Sequence, residues 1–75
     1  MAMNKYKTVR EKLIEKYKDA VTGIYEVNGD DVFVSFEKLV TNARAVQEGL
    51  EIPYQGAGDV NYPELIRDIE ELYSE

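Results

Sequence analysis

The dipeptide Asn28-Gly29, set between VTGIYEV and DDVFVSF, constrains what this chain can fold into more than any other stretch. A type I′ turn needs positive φ at both central positions, and Asn and Gly supply it most cheaply. The sequence therefore predicts a β-hairpin. With Val27 opposite Asp30, Tyr25 faces Val32, Gly23 faces Val34 and Val21 faces Phe36. One surface then carries Val21, Tyr25, Val27, Val32, Val34 and Phe36 as a core face. The other carries Thr22, Ile24, Glu26, Asp31, Phe33 and Ser35, with Ile24 and Phe33 paired across the strands. Two strands alone are marginal in water, so helices must cover at least one face. The free edges, and any part of Ile24 and Phe33 left uncovered, would suit a second copy of the chain.

Helical periodicity surrounds this hairpin. Tyr6, Val9, Leu13, Ile14, Tyr17 and Ala20 recur at spacings of three and four, predicting an amphipathic helix over Asn4 to Ala20. Thr8 and Glu11 have the form of a capping box, with Asn4 as an alternative cap one turn earlier. Ser35 is placed to cap a helix bearing Phe36, Leu39, Val40, Ala43, Val46 and Leu50, ending near Gly49. Glu51 to Val60 breaks all periodicity at Pro53, Gly56 and Gly58, and a loop of that length is more often functional than a plain connector. Asn61 or Tyr62 opens a last helix with Pro63 in its first turn and Leu65, Ile66, Ile69, Leu72 and Tyr73 as its buried stripe. The expected fold is α+β: one domain over residues 1–75, ordered helix, β-hairpin, helix, loop, helix, with a two-stranded antiparallel sheet packed by helices. Met1-Ala2 ahead of Met3 has the form of a cloning remnant, and residues 1–3 are expected to lie outside the folded part.

Composition narrows the chemistry. At 75 residues the core is small, and with no Cys and no His it has neither disulfides, thiolate nucleophiles nor imidazole bases, and no usual zinc site. Ser35 is better used as a cap, Ser74 lies at a terminus, and the adjacent Glu70 and Glu71 point in different directions on a helix. Gln55-Gly-Ala-Gly-Asp contains a lone G-x-G without the strand and helix of a phosphate loop. Asn28, Asp30 and Asp31 lack the alternating acids and distal Glu of a calcium loop. The chain reads as a non-enzyme without cofactor or metal. No apolar run is long enough for a membrane span and MAMNKYK lacks a signal-peptide core, so the expected compartment is the cytoplasm.

Charge carries the functional expectation. Through Ala20 six basic residues stand against three acidic ones, while from Val21 onward three stand against twelve. A body this acidic repels nucleic acid and membrane and attracts basic proteins. The expected function is binding: Glu51, Asp59, Glu64, Asp68, Glu71 and Glu75, with Tyr54 and Tyr62 beside the loop, engage a basic, nucleic-acid-binding partner by imitating a row of phosphates. Small inhibitors from phages and mobile elements act in this way. The alternative is a non-catalytic adaptor or structural protein, a homodimer through Ile24, Phe33 and the tyrosines. Direct nucleic-acid binding by the basic first-helix face (Lys5, Arg10, Lys12, Lys16) is opposed by repulsion from the rest of the body.

Overall fold

The computed structural model describes residues 2–72, with side chains described from Thr8 onward. Four helices follow one another: α1 (Ala2–Lys16), α2 (Lys18–Asn28), α3 (Val32–Gln47) and α4 (Tyr62–Leu72). No strand occurs among the described residues, so the predicted α+β fold is corrected to an all-helical one. The segment expected to form a β-hairpin is instead an α-helical hairpin.

Asn28-Gly29 does make a chain reversal, but as a helix terminus. Gly29 adopts the left-handed conformation at φ 78° and its N–H donates to the Tyr25 carbonyl, closing α2. The Asn28 side chain donates to the Ile24 carbonyl at 3.0 Å, meeting another acceptor of that last turn. Two residues later Asp31 opens α3, its carboxylate accepting from the Val34 N–H at 2.9 Å. Asp31, and not Ser35, is thus the cap. Ser35 lies inside the first turn of α3, fully buried, with no hydrogen-bond partner for its hydroxyl.

Burial follows the helical period. Ala20, Val21 and Ile24 on α2 pack with Phe36, Leu39, Val40 and Ala43 on α3, and α2 and α3 make the most extensive helix pair. Leu13 from α1 and Leu65, Ile69 and Leu72 from α4 complete the core. Phe36, Ile24, Leu39 and Leu65 are each fully buried, and such side chains contribute roughly 1.5–3 kcal/mol apiece relative to exposure. Four of the six residues expected on a sheet's core face, Tyr25, Val27, Val32 and Val34, are exposed. The helix expected to run unbroken to Ala20 is interrupted at Tyr17, whose backbone (φ −108°, ψ 32°) leaves the helical region while its N–H still bonds the Leu13 carbonyl.

α1 begins at Ala2, ahead of the caps expected at Asn4 and Thr8, whereas the end of α3 and the start of α4 follow the sequence signals. Gly49, at φ 76°, ends α3 with a Schellman pair, Leu50 N–H to the Ala45 carbonyl and Gly49 N–H to that of Val46. Asn61 caps α4, accepting from the Glu64 N–H at 3.2 Å. Between these helices the chain is irregular yet tightly held. Asn42, fully buried on α3, accepts from the Tyr54 N–H at 3.0 Å and donates to the Tyr54 carbonyl at 2.8 Å. Ala57 is buried in the core, and Gly56, at φ 107°, lies against Gly23 in the middle of α2. A Cβ on residue 23 would stand 1.9 Å from the Gly56 carbonyl oxygen.

Gly23→Ala therefore reverses the usual helix rule. Alanine ordinarily favours a helix interior by about 1 kcal/mol over glycine, but overpacking against backbone that cannot rotate aside costs about 1–3 kcal/mol net. A urea melt is expected to show this loss. A Gly23→Ala protein as stable as the parent would contradict the packing of the loop on α2.

Candidate functional site

The acids singled out in the sequence do not form one free row. Glu64 and Asp68, a turn apart on α4, both point to Lys16 at the end of α1, at 2.8 and 2.9 Å. The Tyr17 hydroxyl donates to the same Asp68 oxygen at 2.7 Å. The break between α1 and α2 is thus tied to α4 by a four-residue polar cluster. Hydrogen bonds to Glu64 and then to Asp68 hold the Lys16 ammonium above its ordinary value of 10.5. Burial, and next the bond to Asp68, push the Tyr17 phenol above 10.0. Burial alone would raise the Asp68 carboxyl, but the bonds from Lys16 and Tyr17 outweigh it and leave the group below its ordinary 3.8.

Glu51 and Asp59 lie exposed on the pinned loop, and Glu71 is exposed on α4. Glu75 lies outside the described residues, as do Tyr73 and Ser74. Tyr54 and Tyr62, expected beside the loop as contact residues, are both half-buried. The Tyr54 ring carries the Lys38 ammonium 5.0 Å from its centroid, and Lys38 also pairs with Asp30 beside the α2–α3 turn. Tyr62 packs on the core, where burial raises its phenol; Asn42 is turned to Tyr54 and makes no hydrogen bond to the Tyr62 hydroxyl.

Ile24 and Phe33, paired in the hairpin reading, are separated by the helices. Ile24 is fully buried and offers nothing to a second copy, whereas Phe33 is 49% exposed with the Arg10 guanidinium 4.8 Å above its ring. Of the basic residues considered on the first helix, Lys16 and Arg10 are therefore already engaged. Among the described residues no group of three His, Cys, Asp or Glu is placed to hold a metal ion. No described helix is long and apolar enough to cross a membrane.

The structure adds a feature that single-element reading missed. A groove of about 360 Å³ runs between α1, α2 and the start of α3, lined by Ile14, Val21 and Val32 and edged by Glu11 and Glu15. One signal for it was available: Val32, Phe33 and Val34 directly follow a helix cap, and three successive apolar residues cannot all face one side of a helix. No protein-family model matches the chain, and neither a curated protein nor a solved structure matches it.

The Lys16 cluster gives a pH signature. The folded value of Asp68 lies below its unfolded one, so its contribution is complete above about pH 4 and disappears as pH falls through the folded value. Lys16 and Tyr17 have raised folded values, so their contributions are complete below about pH 10 and are lost as pH climbs through those values. Asp68→Asn is expected to cost about 1 kcal/mol at neutral pH, the range of a partly exposed pair. It should also flatten the acid limb and bring the Tyr17 titration, followed by ultraviolet absorbance, down towards that of free tyrosine. An unchanged Tyr17 titration would show that Asp68 does not hold the phenol.

Proposed function

We propose that this chain is a non-catalytic binding module for a basic protein, acting as an acidic inhibitor that occupies its partner's nucleic-acid-binding surface. The observation that carries the reading is the distribution of unpaired carboxylates. Glu26, Glu37, Glu48, Glu51, Asp59 and Glu70 are all exposed and form no ion pair among the described residues. Their charge is uncompensated at the surface, so it acts over the screening length on whatever approaches. The Lys16 cluster alters which acids matter: Glu64 and Asp68 share a cation and serve to hold α4, so phosphate mimicry falls to the loop acids Glu51 and Asp59 and to the solvent side of α4. Holding the loop through Asn42 spares those acids an ordering cost when a partner binds.

A second reading is favoured by one specific observation, the exposure of Val32, Phe33 and Val34 at the start of α3. Apolar side chains grouped in this way suit a contact surface in an adaptor. Acidity and apolar contact are compatible, the first governing encounter and the second residence.

The test is capture from nuclease-treated lysate, with elution by a salt gradient, using the parent chain and a Glu51→Lys, Asp59→Lys, Glu70→Lys variant. All three positions are exposed and unpaired, so the fold should survive. The parent is expected to retain a basic nucleic-acid-binding protein, displaced by duplex DNA and released at intermediate salt, with retention by the variant reduced at least about tenfold, or roughly 1.4 kcal/mol. The same proteins eluting from both baits at the same salt would overturn the acidic-surface reading.

A further inference from the structure

From the groove between α1, α2 and α3 we infer a docking site for an amphipathic helix of the partner, one with an apolar face flanked by lysine or arginine. This inference rests on the proposed binding of a basic protein and names the element such a protein would insert. The groove is built entirely by helices, so an incoming strand would find no sheet edge to pair with, whereas a helix can lay side chains between helical walls. Its apolar lining comes from Ile14, which is half-buried, Val21, which is buried, and Val32, 43% exposed at the open side, with Glu11, Glu15, Lys18 and Thr22 around them. Phe33, next to Val32 and also half-exposed, lies beside it with the Arg10 guanidinium over its ring.

Dimensions and charge narrow the occupant. Glu11, Ile14 and Glu15 recur at three- and four-residue spacing along α1, a run of about 6 Å at 1.5 Å per residue, and Lys18 follows beyond the break at Tyr17. That length accommodates about one turn of helix, presenting apolar residues at i and i+3 or i+4. Glu11 and Glu15 lie one turn apart, exposed and without an ion pair among the described residues, so they can receive cations from the flanks of the incoming helix. Lys18 on the lining and Arg10 over the adjacent Phe33 are the opposing charges at the groove, while the chain as a whole carries −6. A second copy carries that same charge and is repelled at long range, whereas a basic segment is attracted.

The probe is a synthetic Leu/Lys peptide patterned to give one apolar and one basic helical face, compared with a peptide of identical composition in scrambled order. Titration into the labelled chain should shift amide resonances at Ile14, Val21, Thr22 and Val32 with the patterned peptide. Val32→Lys, and independently Thr22→Arg at an exposed position on the lining, should each weaken binding about tenfold or more. Val46→Lys, at an exposed apolar position outside the groove, should leave it unchanged. Circular dichroism of each variant establishes that its helices are intact.

Equal affinity for the scrambled peptide, with shifts spread over the acidic surface, would overturn the groove while leaving the acidic-surface reading in place. Failure of both basic peptides to bind at low salt would overturn the two together. Self-association of the chain abolished by Val32→Lys would assign the groove to a second copy and overturn the basic-helix occupant.

Discussion

At Gly23 and Gly56 two stretches of backbone meet with no side chain between them, and the rest of the structure depends on that approach. It brings the irregular segment after α3 back across the middle of α2, where Ala57 enters the core. Asn42 then meets both backbone groups of Tyr54, so the segment crosses a partly buried region with those polar groups satisfied. A chain of 75 residues has few ways to enlarge its core without disulfides or metal. Using a loop as a packed wall is one of them. It explains why a stretch with neither helix nor strand carries a buried residue and how α4 is delivered to the face shared by α1 and α3.

The second organising interaction is electrostatic. Lys16, at the end of α1, takes two carboxylates from α4, and Tyr17, at the break, donates to one of them. Exposed pairs contribute little each, but these converge on one point where three helices meet. These acids are turned to a neighbour rather than left free at the surface. What remains outward is a dispersed set of carboxylates over the surface and an apolar groove with two of them at its edge. In the proposed function such a surface separates attraction at a distance from contact at close range.

Much of this was legible in the sequence, and the part that was not has a physical reason. Gly49 and Asn61-Tyr62-Pro63 marked helix ends by local chemistry, and Leu13, Leu39, Val40, Ala43, Leu65, Ile69 and Leu72 fell on the stripes that are buried. The hairpin failed because Asn-Gly serves two turns. A left-handed glycine closes a helix as readily as it reverses a strand, and over so short a run Val21, Tyr25 and Val27 suit a strand face while Ala20, Val21 and Ile24 suit a helix face. Thr22, Gly23, Ile24, Tyr25 and Val27 are poor helix formers, and α2 exists because packing on α3 and on the loop outweighs their preference. Gly23 resolves the matter only once Gly56 is known to lie against it. The Lys16 cluster joins residues about fifty positions apart, and the groove is made by three elements, so neither has a local signature.

Amide hydrogen exchange at Tyr54 tests the central claim, that the segment between α3 and α4 is part of the folded core, most directly. Its N–H points to a fully buried Asn42 and is expected to exchange with an opening free energy close to that of Leu39 and Val40 on α3. Exchange at Tyr54 near the rate of an unstructured chain, while the α3 amides stay protected, would contradict it.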